Sequence, residues 1–270
     1  MENQQKITIN DVKKRIIIII TASFILAVFM AIKGNTFSKS IIFLISFAIL
    51  LSIICTTVYL KYSMFTDEEK NYNNFFQVVD FISMFTMACL IFQLFFTFCF
   101  FRATVDGSSM YPTLQNNDVL IVRSTKKVSN FDIVVVRVDT KYNILVPGVI
   151  NNDLLVKRVI GIPGDTFYFE DNVLYLNGER IDEKYIKDEN GNYTYIGNVF
   201  DFSLQSRCNI KGVNVCDDDE CVIPDDYYFV MGDNRTNSSD SRVFGLFHKS
   251  QLMGIVKYHV VTLFDWKKVQ

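Results

Sequence analysis

Three long apolar stretches constrain this chain more than any other feature. They are residues 16–32 (IIIIITASFILAVFMAI), 41–60 (IIFLISFAILLSIICTTVYL) and 81–101 (FISMFTMACLIFQLFFTFCFF). Each approaches the roughly 20 residues that a helix needs to cross a ~30 Å hydrocarbon core, and none contains Asp, Glu, Lys or Arg. A core helix of a soluble protein keeps a polar face, which these lack. No A-x-A-like cleavage site follows the first, so it does not read as a removable leader. The expectation is three transmembrane helices. Gln93, inside the third, reads as a helix–helix hydrogen-bonding residue.

Lys6, Lys13, Lys14 and Arg15 precede the first stretch, while only Lys33 and Lys39 follow it closely. The positive-inside tendency then sets the N-terminus in the cytoplasm. Three crossings deliver everything after Arg102 to the extracytoplasmic side. The expected organisation is a membrane anchor at 1–102 and a soluble domain at 103–270. Lys plus Arg (27) nearly balances Asp plus Glu (29), which excludes the electrostatic footprint of a nucleic-acid binder.

Beyond residue 102 the pattern is that of strands. Residues 119–123, 132–138, 154–162, 165–169, 227–231 and 252–264 are short runs rich in β-branched and aromatic side chains. The stretch EDNVLYLNGERI (170–181) reads as turn, strand, Asn-Gly turn and strand. Between about 182 and 224 the chain is polar and reads as an excursion, because a long structureless loop inside a compact domain is uncommon. The fold class is therefore a mainly β soluble domain of antiparallel sheets behind a bundle of three transmembrane helices, with a cap at about 170–225. Cys208, Cys216 and Cys221 allow at most one internal bridge, and their spacing is not that of a zinc site.

Three polar stretches could carry chemistry, and each has a plain structural reading as well. DGSSMYPTL (106–114) is either a Gly/Ser/Pro linker or a turn presenting a serine nucleophile, and locally it does not choose between Ser108 and Ser109. Lys157, in LLVKRVIGIPGD, is either protection for an edge strand or a general base whose amine is held neutral by apolar surroundings. In YYFVMGDNRTNSSDSRVFG (227–245), Asp233, Arg235, Asp240 and Arg242 are either a solvated turn or a buried polar network. The two histidines are unpromising bases. His259 lies in a strand pattern and His248 in a turn without a neighbouring carboxylate, which makes a Ser–His–Asp arrangement improbable. No H-E-x-x-H and no phosphate-cradling Gly-rich loop is present.

Taken together, these stretches resemble the bacterial type I signal peptidases (leader peptidases), membrane-anchored serine proteases with a Ser–Lys dyad. GSSMYPTL at 107–114 is similar to the family's nucleophile motif and selects Ser109. NNDVLIV at 116–122 resembles the next motif. KRVIGIPGD at 157–165 resembles the general-base motif with Lys157 in the base position, and GDNRTNSSDSR at 232–242 resembles the last. The resemblance implies a Ser109 nucleophile whose backbone N–H helps stabilise the oxyanion, with Lys157 as base. It further implies that Ser238 orients the lysine amine, with Asp240, Arg242, Asp233 and Arg158 supporting. The implied substrates are secretory preproteins with small residues at the first and third positions before the cut. The implied surroundings are the lipid bilayer and the secretion translocon, with no metal or organic cofactor. Two departures stand out. Gly107 occupies a position where some members supply an oxyanion-hole serine, and three spans exceed the family's usual one or two. Two other readings use the same residues: a Ser–Lys protease of different specificity, and an inactive membrane-anchored binding module on this fold.

Overall fold

In a computed structural model of the chain, the structure describes residues 9–33, 49–50, 53–54, 57, 72–143, 147–187, 202–204, 209–210, 213–217, 220–261 and 265–269. The chain divides into two compact units, Met1–Phe101 and Arg102–Gln270.

The first unit contains α1 (Ile9–Lys33) and α2 (Tyr72–Cys99). Val12, Ile16 and Ile19 of α1 form a buried cluster with Val79 and Ile82 of α2, and further along Ala22 meets Leu90. Contacts that climb in both helices together mean that α1 and α2 run parallel. Arg15 Nε lies 2.7 Å from Asp80 Oδ1 at the start of this seam. Among the described residues one segment, Phe76–Phe96, is long and apolar enough to cross a membrane. The third expected stretch, 81–101, overlaps it. The helix begins before Asp80, whose charge the ion pair with Arg15 compensates, and it ends at Cys99, because Phe100 and Phe101 already belong to a strand. The first expected stretch lies within α1, and most of 41–60 lies outside the described residues. Ile49, from that stretch, packs against the Ala22–Leu90 pair.

The strands begin with β1 (Phe100–Thr104), β2 (Val119–Arg123), β3 (Ile133–Arg137) and β4 (Leu154–Gly161). Next come β5 (Phe167–Glu170), β6 (Val173–Leu176), β7 (Glu179–Arg180) and β8 (Phe202–Ser203). Two small antiparallel pairs follow, β9 (Asn209–Ile210) with β10 (Val213–Asn214) and β11 (Cys216–Asp217) with β12 (Glu220–Cys221). The last are β13 (Tyr227–Met231), β14 (Phe247–His248), β15 (Leu252–Val260) and β16 (Trp266–Lys268). The main sheet runs β1-β2-β15-β3-β4-β13-β14, with β16 also on β15, and a second sheet runs β7-β6-β5-β8.

The strand periodicity explains the layering. On β4 and β13, Ile160, Phe229 and Met231 enter one buried cluster while Val159, Tyr228 and Val230 enter another. Successive side chains leave opposite faces of a strand, so these two strands are apolar on both sides and sit between two cores. The first of those cores also takes in Phe167 and Phe169 of β5, Leu174 and Leu176 of β6, Leu204 and Ile223. The second sheet is thus welded onto the main one. Asp171-Asn172 and Asn177-Gly178 all have positive φ, the backbone of the tight hairpin turns expected of such pairs. A disulfide joins Cys216 to Cys221 across β11 and β12; Cys208 lies outside the described residues. The only α-helix among the described residues after β1 is α3 (Ser241–Phe244), capped at its start by Asp240.

Candidate active site

The DGSSMYPTL stretch is the head of a closed loop between β1 and β2. Val105 N–H donates to Asp118 O, and Asn117 N–H donates back to Val105 O, both at 2.9 Å. Met110 and Leu114 are each 1% exposed, so two apolar side chains nail the turn to the domain while Ser108 and Ser109 stay on its outer side. Tyr111–Pro112 is cis, and Gly107, at φ 91°, donates its N–H to Asn116 Oδ1. Asn234 holds the other flank: its backbone N–H meets Ser109 O, and its side-chain Nδ2 meets Ser108 O, both at 3.1 Å. Ser108 Oγ accepts from Asn237 Nδ2. The two serines are thereby distinguished, because Ser109 Oγ faces a different neighbour.

That neighbour is Lys157. It sits in the middle of β4, opposite Val134 of β3, and is 2% exposed. Its Nζ is 2.7 Å from Ser109 Oγ. Burial is the main cause that lowers its pKa from 10.5 to about 8. The Asp240 and Asp233 carboxylates resist that change and Arg242 adds to it. A lysine in a water-filled turn keeps its proton to about pH 10; here burial removes the solvation that charge needs and brings the neutral form within reach just above neutral pH.

Arg158, next along β4, leaves the opposite face. It grips Asp233 with two hydrogen bonds, Nε to Oδ1 at 2.8 Å and Nη2 to Oδ2 at 2.7 Å, and its Nη1 donates to Phe131 O. Both side chains are almost wholly excluded from solvent. Asp240 pairs with Arg242 through Nε (2.7 Å) and Nη2 (2.8 Å) and accepts the Gly232 N–H. Asp233, Arg235 and Asp240 of the 232–242 stretch are therefore parts of a buried polar network, while Thr236, Asn237 and Ser239 of the same turn are exposed. Ser238 is close to Ser109, since a Cβ on Gly232 would stand 2.2 Å from Ser238 Oγ and 2.4 Å from Ser109 O. Its hydroxyl is buried and has no hydrogen-bond partner among the described residues; the bond to the Lys157 amine implied by the resemblance is not formed in this structure.

Two residues here, Glu183 and Tyr185, carried no signal in the sequence. Arg235 is paired with Glu183 through both terminal nitrogens, at the start of a short 3-10 turn, Lys184–Ile186. Tyr185 in that turn donates its hydroxyl to Glu183 and lies with its ring under the Arg158 guanidinium, 3.8 Å from the centroid. Thr113 Oγ1 donates to Asp233 Oδ2, and the carbonyl oxygen of Tyr185 lies 3.3 Å from the same hydroxyl oxygen. Thr113 was within reach of sequence reasoning, standing in the quoted PTL; Glu183 and Tyr185 come from the polar excursion. The histidines are elsewhere. His259 meets Asp118 at 3.1 Å, and His248 caps a 3-10 turn at 249–251. No group of three or more His, Cys, Asp or Glu among the described residues is arranged to hold a metal ion.

Chemically, a serine hydroxyl in contact with a desolvated amine can lose its proton to that amine and attack a carbonyl. The chain is similar to known proteins. Residues 78–261 match the family model described as signal peptidase, peptidase S26. The chain is 38% identical to signal peptidase I S of Bacillus subtilis (strain 168) over 168 residues, covering 60% of this chain and 77% of the relative. It is 34% identical to signal peptidase I P of Bacillus subtilis subsp. natto over 197 residues, 71% of this chain and 92% of the relative. A solved signal peptidase I from Enterococcus faecalis aligns at 31% identity and TM-score 0.38, over 49% of this chain and 98% of that one. The family match runs from within α2 through Ser109, Lys157 and the 232–242 stretch to the residue after β15, and the chain belongs to the signal peptidase, peptidase S26, family.

Proposed function

We propose that this protein is a type I signal peptidase that removes signal peptides from secreted preproteins through a Ser109–Lys157 dyad. The observation that carries the reading is the 2.7 Å contact between Ser109 Oγ and an amine only 2% exposed. Neutral Lys157 takes the Ser109 proton as Oγ bonds to the scissile carbonyl carbon. The Ser109 N–H stabilises the oxyanion, a donor of that kind contributing about 3–4 kcal/mol. The protonated lysine then delivers its proton to the departing amine, leaving an ester on Ser109. Neutral again, it takes a proton from the water that attacks that ester and returns it to Ser109 Oγ as the acyl C–Oγ bond breaks. Substrates are preproteins with small residues at the first and third positions before the cut, bound as an added strand. Ser238, Asp240, Arg242, Asp233 and Arg158 hold the lysine and its surroundings.

The proposed organisation is an anchor at 1–102 that crosses the membrane three times, N-terminus in the cytoplasm, and an extracytoplasmic peptidase domain at 103–270 with its cap at about 170–225. Two parallel helices entered from the same side require the chain between them to return, and residues 34–71 include the apolar stretch 41–60. The Ile49 contact with Ala22 and Leu90 supports that return. The test is cleavage of a purified secretory precursor by the full chain beside Ser109→Ala. Wild-type cleavage at the signal junction, absent in Ser109→Ala, is expected; equal cleavage by both overturns the dyad.

A further inference from the structure

The buried group around Tyr185 has no part in the acyl-transfer steps, yet it touches every element that does. Its ring faces Arg158, the residue after Lys157, and its carbonyl oxygen lies 3.3 Å from the hydroxyl oxygen of Thr113, four residues after Ser109. Its hydroxyl and Glu183 hold Arg235, two residues after Asp233. Thr113 Oγ1 also donates to Asp233, whose carboxylate Arg158 grips from the other side. Arg158, Glu183, Asp233 and Arg235 are each no more than 2% exposed. Charges so far from water stay where they are only while each keeps its partner, and a guanidinium over an aromatic face gains most when desolvated.

We propose that Tyr185, with Glu183, is a positioning residue for the Ser109–Lys157 dyad: the polar excursion reaches back as a strut that keeps Arg158 on Asp233 and so fixes the charge that Lys157 experiences. The inference rests on the dyad reading. The physical link is electrostatic. Asp233 acts on the Lys157 amine in favour of its charged form, and Arg158 is what neutralises Asp233. Loss of the ring platform frees Arg158 to tilt away and admits water. Both changes favour the charged lysine, and a charged lysine cannot accept the Ser109 proton. No covalent step is added; the strut works by keeping the base neutral.

The test is the pH dependence of kcat and KM for precursor cleavage by the full-length protein, for wild type, Tyr185→Leu, Tyr185→Phe and Thr113→Val, with Ser109→Ala alongside. For Tyr185→Leu the alkaline-rising limb of kcat is expected to move up by half a unit or more, with the rate at pH 7 falling at least threefold, recovery by pH 10 and little change in KM. Tyr185→Phe, which keeps the ring face and the backbone carbonyl, is expected to restore the wild-type limb. Thr113→Val, a near-isosteric loss of one hydrogen bond to Asp233, is expected to move the limb the same way by less, and it decides the matter if Tyr185→Leu does not fold. A limb left in place while kcat drops equally at all pH values overturns the proposal, as does Tyr185→Phe shifting as far as Tyr185→Leu. Cleavage by Ser109→Ala would instead remove the dyad reading on which the inference stands.

Discussion

Lys157 Nζ lies 2.7 Å from Ser109 Oγ, bringing together residues 48 positions apart in the chain. Neither residue is unusual in its local sequence; what sets the pair apart is that β4 buries the amine while the loop between β1 and β2 turns one serine towards it. Ser109→Ala and Lys157→Ala are each expected to reduce precursor processing below detection with the fold retained by circular dichroism. Wild-type rates should rise with pH through about 8, where the Lys157 amine loses its proton. A profile flat between pH 6 and 9 would remove Lys157 from the role of base.

The same depressed pKa makes a statement about stability. Between about pH 8 and 10.5 the unfolded chain holds a proton on Lys157 that the folded chain has released, so folding is penalised at lower pH and the penalty fades as pH rises. Lys157→Met is expected to be more stable than wild type at pH 7, by up to about 3 kcal/mol. The difference should shrink above pH 8. Urea midpoints of the two proteins across pH 7–10.5 check this, and a gap independent of pH contradicts it.

Ser238 and Gly232 should separate activity from stability. Ser238 Oγ makes no hydrogen bond among the described residues, so Ser238→Ala is expected to change stability by less than about 0.5 kcal/mol. Its effect on kcat, tenfold or more, would report a contact formed with the amine during the reaction. Gly232→Ala puts a methyl group against Ser109 O and Ser238 Oγ and is expected to abolish cleavage. A Gly232→Ala enzyme of normal rate would mean that the nucleophile turn tolerates displacement.

Asp233→Asn leaves the Arg158 guanidinium buried without a counter-charge. Breaking one side of such a pair costs about 3–5 kcal/mol, so the variant is expected to lose that much in denaturant unfolding and to be inactive. Arg242→Ala meets a more accessible pair, 9% exposed on the arginine side, and should lose less. Equal losses would argue that burial does not set the cost.

The parallel α1 and α2 predict a topology. An alkaline phosphatase reporter, active only outside the cytoplasm, is expected to be active when fused after Ser38, inactive after Thr66 and active again after Thr104. Activity at the second junction would rule out the return crossing.

Much of this protein was legible in one dimension because its physics is local there. An uncharged apolar run and a period-2 alternation report burial directly, so the strands at 119–123 and 227–231 have the limits read from the chain. Asn177-Gly178 announces its own turn through the positive φ both residues tolerate. The stretch read as 81–101 overlaps α2, which begins earlier, at Tyr72, and carries Asp80 beside Arg15.

The sequence by itself determined the β-rich fold, the apolar segments and, through four separated motifs, which serine and which lysine to look at. Only the tertiary structure decided what those residues experience. Asp233 pairs with Arg158 and not with its near neighbour Arg235, which turns instead to Glu183, 52 residues away. Like-looking charges in one stretch cannot reveal such partners, because the energy of a charge depends on what surrounds it after folding has removed the water. For the same reason the pKa of Lys157 belongs to the folded sheet and not to the residue.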